Sequence, residues 1–171
     1  LAGNIFTGRI ANHAGEIAYT SGLVRPRAAV IINVGTAHLE GFGSREGIAR
    51  AKSEIYDGLA SGGTAIVNLD DDFAEFWLAK LNGRQLLTFS ERQTADVYAT
   101  EITAGDMPQY AFALHIGAQA MPVQLQLLGR HQVMNALAAA SLAHACGISL
   151  ARIVDGLQKT RAFSGRTVPH N

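Results

Sequence analysis

Two short runs, "AAVIINVG" (28–35) and "TAIVNLD" (64–70), limit the architectures open to this chain more than any other feature. Each is almost wholly apolar and rich in β-branched residues. A strand of that kind has no polar face to turn to water. Both of its faces must be covered, as in a parallel sheet with helices packed against it. Between the runs, Ser44 is placed to cap a helix, with Glu46 in its first turn. That helix runs to about Leu59, where "ASGG" stops it. A short amphipathic helix over "DDFAEFWLAKL" (71–81) and a third strand over "QLLTFS" (85–90) follow. This alternation predicts an α/β fold, a mostly parallel, doubly wound sheet flanked by helices.

Beyond residue 90 the pattern changes. "ADVYATEITAG", "YAFALHIG" and "AMPVQLQLLG" alternate apolar and polar residues, with Gly or Pro between them, which predicts a small antiparallel meander. "HQVMNALAAASLAHA" (131–145) is a strong helix ended by Gly147, and Ser149 caps a last helix over "LARIVDGLQKT". The opening "LAGNIFTGRI" shows no buried-strand pattern, so the sheet is expected to lack its first strands and to leave an apolar edge open.

The 171 residues suffice for one domain with a substantial core, and 48% of them are hydrophobic. Lys plus Arg and Asp plus Glu both number 14, and no basic patch is interleaved with aromatics. Charge therefore gives no case for nucleic acid or for an acidic membrane surface. No apolar run is long enough to span a bilayer, and the first residues lack the charged and apolar regions of a secretory signal. The lone Cys146 excludes an internal disulfide framework, suits a reducing compartment such as the cytoplasm, and reads as a small buried core residue. The chain starts without Met and stops at "TVPHN", which reads as a piece of a longer protein.

One residue resists this packing logic. On the first long helix Ile48, Ile55 and Leu59 form an apolar stripe, and Lys52 completes it at helical spacing. Snorkelling is one explanation, with the stem packed and the ammonium in water. Burial of the amine is the other, and it lowers the pKa. A neutral amine adds carbon dioxide to give a carbamate, an anion able to hold a divalent metal. His38 follows the strand 28–35, at the sheet edge where open α/β folds place their ligands. Spacing alone makes a site of His38 and Lys52 feasible, and an ordinary solvent-exposed loop histidine remains the alternative.

Three blocks, "ANHAGEIAYTSGL", "TAHLEGFGSREGIARAKSEIYDGL" and "LLGRHQVMNALAAASLAHACGISL", resemble the central domain of the Mur ligases. The resemblance covers about residues 11–166, leaving 167–171 as the start of a linker. It is nearest to the branch that adds D-alanyl-D-alanine to UDP-N-acetylmuramoyl-tripeptide. It implies an ATP-dependent amide ligase of peptidoglycan synthesis, cytoplasmic, and monomeric when complete. In that chemistry ATP phosphorylates a carboxylate and an amine attacks the acyl phosphate, with magnesium and cationic side chains balancing phosphoryl charge. The resemblance implies a carbamylated Lys52 and His38 at the magnesium, and Asn135 near the adenine. It implies Arg166 at the ATP phosphates, and Asn12 and His13 near the nucleotide-sugar.

The pattern is incomplete. A Gly-rich phosphate loop ending in Gly-Lys-Thr is not among these residues. Gly8 stands where the family has a metal-ligating glutamate. Gln132 replaces an asparagine at the adenine, and Ser164 replaces a common proline. The expectation is that this chain alone is inactive and binds ATP weakly. Two other readings are a sibling ligase, of the Mur or folylpolyglutamate synthase type, and a catalytically dead remnant serving as a binding module.

Overall fold

A computed structural model of the chain describes residues 5–7, 26–32 and 44–161. Among these residues seven strands lie side by side in chain order: β1 (Ile5–Thr7), β2 (Ala28–Ile31), β3 (Thr64–Asn68), β4 (Gln85–Ser90), β5 (Val97–Ala104), β6 (Gln109–Ile116) and β7 (Gln119–Leu128). Strands β1 to β5 are parallel; β5, β6 and β7 are antiparallel. The helices among the described residues are α1 (Arg45–Asp57), α2 (Ala74–Lys80), α3 (His131–Ala145) and α4 (Leu150–Lys159). The expected mixed sheet and meander are both present.

The unbroken burial of β2 and β3 follows from what covers them. Ala29, Ile31, Ala65 and Val67 pack with α1 and α2 on one face, around Trp77 and Tyr56. Ala28, Val30 and Ile66 point the other way, into a larger core with β4 to β7, α3 and α4. Crossovers between neighbouring parallel strands are right-handed, so α1 and α2 share a face. The opposite face is closed by α3 and α4, which return across the sheet after the meander. The sheet is therefore covered on both sides without a reversal of strand order.

Tyr56 is fully buried, and its hydroxyl donates to the Ile66 carbonyl at 2.7 Å, fastening α1 to β3. Burial pushes that hydroxyl well above the usual tyrosine range, so it stays a neutral donor. Parallel strands normally need a crossover of a dozen residues or more. The six residues 91–96 suffice between β4 and β5 because only Phe89–Val97 and Ser90–Tyr98 pair. Where β5 has not yet begun, the Asp96 carboxylate accepts from the Thr88 N–H at 2.9 Å and hydroxyl at 3.0 Å, covering the free edge of β4.

Some expectations shift. Ile5–Thr7 pairs with β2 as a short parallel strand, so β2 is not the sheet edge. Three residues are too few to show a periodicity, which is why the sequence hides it. Helix α1 ends at Asp57, with Ser44 capping it through the Gly47 N–H as expected. Helix α2 begins at Ala74 rather than 71, because the Asp71 carboxylate accepts from the Phe73 N–H at 2.9 Å and holds a turn there. Cys146 is exposed, not buried; it follows the last turn of α3, outside the face that packs.

Strand β5 carries a bulge between Thr100 and Thr103, and inside it Glu101 takes φ 54°. For a residue with a Cβ that region costs roughly 1–2 kcal/mol, against roughly 0.5–1 kcal/mol of extra chain entropy for Gly. Glu101→Gly is therefore expected to stabilise the fold by roughly 0.5–1 kcal/mol in urea unfolding. A clear loss of stability would show that the exposed Glu101 side chain makes a contact worth more than the strain.

Candidate functional site

The C-terminal ends of the parallel strands gather the polar chemistry of the described residues. Asn68 ends β3 and is 2% exposed. Its amide donates to the Ile32 carbonyl beyond β2 at 2.6 Å, and its carbonyl accepts from the Asp70 N–H at 2.9 Å. The Asp70 carboxylate accepts from the buried Ser90 hydroxyl at 2.6 Å and from the Glu91 N–H at 2.7 Å. The Ser90 oxygen in turn accepts from the N–H groups of Arg92 and Gln93. One continuous network thus ties the ends of β2, β3 and β4. Apolar periodicity does not single out these residues. The signal was present in "NLDDD", where a buried polar residue closes an otherwise apolar strand.

On the α1, α2 face, Lys52 lies two turns into α1. Ile48 and Ile55 beside it are each 2% exposed, whereas Lys52 is half-buried. Its stem follows the apolar stripe without the amine being sealed in. Burial lowers its pKa from the ordinary 10.5, and the negative charge of Asp71, just beyond β3, opposes that shift. Arg45 joins the start of α1 to the same turn, 3.1 Å from the Asp72 carboxylate and 5.4 Å above the Phe73 ring.

On the other face, α3 begins at the same edge. Gly129 has φ +108° and donates to the Pro108 carbonyl at 2.7 Å. A Cβ there would come within 2.6 Å of the His131 ring, which is exposed and can turn aside, so "GRH" needs its glycine for conformation. Gln132 sits on the first turn and Asn135 at the start of the second, and the Asn135 amide donates to the Gln132 side-chain carbonyl at 3.3 Å. The Gln132 amide lies 3.1 Å from the His131 ring nitrogen. The longer Gln132 side chain therefore lies against Asn135 on the helix surface. Arg130 pairs with Glu91 at 2.8 Å.

Of the expected site residues, Lys52, Gln132 and Asn135 are described. The first lies on one face of the sheet and the other two on the opposite face, all toward the C-terminal edge. His38, Asn12, His13 and Arg166 lie outside the described residues, as do Gly8 and Ser164. Among the described residues no group of three or more His, Cys, Asp or Glu is placed to hold a metal. No helix among them is long and apolar enough to cross a membrane.

Residues 10–143 match the Mur ligase middle domain. The chain belongs to the Mur ligase family. It is 42% identical over 160 residues to the UDP-N-acetylmuramoyl-tripeptide–D-alanyl-D-alanine ligase of Escherichia coli K12, covering 93% of this chain and 35% of that protein. The ligase of the same name from Haemophilus influenzae is 36% identical, over 93% of this chain and 34% of its own length. The chain thus spans about a third of the curated relatives it matches. A crystal structure of MurF from Acinetobacter baumannii superimposes with a TM-score of 0.84 at 44% identity, over 91% of this chain and 34% of that one. MurF of Thermotoga maritima in complex with ADP shares the fold, with a TM-score of 0.76 at 20% identity over 96% of this chain and 44% of that one.

The lowered pKa of Lys52 has a thermodynamic consequence. Between the folded value and the unfolded 10.5, only the unfolded chain holds the proton, so stability rises with pH across that window. The cost of the buried charge is fully present below the folded value and gone above 10.5. Lys52→Met is expected to lack this rise. Urea unfolding in CO2-free buffers, from neutral to alkaline pH, should show wild type gaining on the variant. Parallel pH profiles would mean that the amine is solvated as in free lysine.

Proposed function

We infer that this chain is the central-domain part, residues 1–166, of an ATP-dependent amide ligase of peptidoglycan synthesis. The observation that carries the reading is Lys52: a half-buried amine with a lowered pKa, inside the block "AKSEI" of a Mur ligase middle domain. The names of its relatives favour UDP-N-acetylmuramoyl-tripeptide and D-alanyl-D-alanine as substrates. The γ-phosphoryl group of ATP passes to the tripeptide carboxylate. The dipeptide amine then attacks the acyl carbon, forming the amide and expelling phosphate.

Of the residues proposed to hold the magnesium that this chemistry uses, Lys52 alone is described, and its half-buried amine suits that role once carbamylated. A lysine with a lowered pKa keeps more of its amine neutral. The nitrogen lone pair attacks CO2, a C–N bond forms, an oxygen takes the C=O electron pair, and a proton leaves to solvent. The resulting carbamate is an oxygen ligand of the kind magnesium prefers. Lys52 and His38 are the proposed holders. Magnesium, when bound, neutralises charge on the phosphoryl oxygens. Asn135 and Gln132 are assigned to the adenine, Arg166 to the phosphates, and Asn12 and His13 to the nucleotide-sugar. The enzyme acts in the cytoplasm as a monomer.

Phosphate release by the gene product that contains this chain should require ATP, the UDP-linked tripeptide and D-alanyl-D-alanine together. Lys52→Ala should lower kcat by roughly 10²–10³-fold, the size expected for losing one electrostatic stabiliser. Release indifferent to the dipeptide, or untouched by Lys52→Ala, would contradict the assignment. The 171 residues alone should bind Mg–ATP only weakly, because the phosphate-cradling loop is not among them. Tight binding in isothermal titration would contradict that.

A further inference from the structure

Helices α1 and α4 start with serine caps, Ser44 and Ser149, whose hydroxyls accept from the helix N–H groups. Helix α3 has no such cap: Arg130 is at that position, in helical conformation, with no side-chain bond to the helix and no acidic residue in the first turn. Its starting point is set by tertiary contacts instead. The Gly129 N–H binds the Pro108 carbonyl at 2.7 Å. The Arg130 guanidinium reaches Glu91 at 2.8 Å and lies 5.8 Å from the centre of the Tyr110 ring.

An exposed ion pair would contribute little and position nothing. This one is asymmetric. The Arg130 side chain is 46% exposed but that of Glu91 only 11%. Glu91 is also fixed through its backbone, because its N–H is held by Asp70, and Asp70 is held by Asn68 and Ser90. The guanidinium is thus anchored to the rigid ends of β3 and β4, and it immediately precedes the turns that carry Gln132 and Asn135.

We propose that Glu91 and Arg130 are positioning residues for the nucleotide base, coupling the first turn of α3 to the polar network at the ends of β3 and β4. The proposal rests on the function inferred above. Neither residue needs to touch the nucleotide. Their effect is to hold the Gln132 and Asn135 amides where a purine edge can be read. A small displacement of such groups weakens recognition of the correct base more than it weakens binding of phosphates.

The test is binding of ADP and GDP to the gene product that contains this chain, by calorimetry or by amide NMR shifts, with melting temperature recorded in parallel. Glu91→Gln and Arg130→Met should each weaken ADP about tenfold while barely changing GDP. The double variant should be no worse than either single one, since both break the same link. Arg130→Lys should restore part of the preference for ADP. Equal losses for both nucleotides, or none, would overturn the proposal and leave Glu91–Arg130 as a fold contact only. A wild-type protein that binds neither nucleotide would overturn both this proposal and the function on which it rests.

Discussion

Burial of β2 and β3 on both faces is the constraint from which the rest of the structure follows. Strands covered on either side have no room for polar side chains along their length. The polar groups of β3 and β4 are therefore displaced to the strand ends, where the parallel ladder runs out and backbone groups need new partners. Asn68 meets that need directly, binding the Ile32 carbonyl beyond β2 and the N–H of Asp70. Asp70 then draws in Ser90 and Glu91. The same network that closes the core thus makes a rigid polar rim, and both helices that carry candidate site residues start at that rim.

Much of this was legible from residue order. The continuous apolar runs declare parallel, doubly covered strands, the alternating runs beyond residue 90 declare the meander, and 131–145 declares α3. Three motif blocks led to the family. What the sequence did not disclose depends on tertiary geometry. Ile5–Thr7 is a strand only because β2 offers it an edge. The Asp70 turn is a network only because Ser90, twenty residues on, comes to lie beside it. The exposure of Cys146 reflects where α3 ends relative to its packed face, which an apolar neighbourhood in sequence does not reveal.

Lys52 shows the same division. Its place on the apolar stripe was evident from spacing, but spacing left snorkelling and burial both open. The structure gives an intermediate state: a packed stem, a half-buried amine, a pKa lowered by desolvation, and the counteracting charge of Asp71. That balance suits a reactive amine. Full burial would deny it access to CO2 and metal, and full exposure would keep it protonated. The lowering comes from burial of Lys52 along the α1 stripe, and Asp71 counters it.

The central claim is that this amine is chemically distinct from the other lysines. The most direct measurement is 13C NMR of the protein in 13C-bicarbonate at mildly alkaline pH. A carbamate carbon signal should appear that disappears in Lys52→Arg and persists in Lys80→Arg. No carbamate signal, or one indifferent to Lys52→Arg, would contradict it.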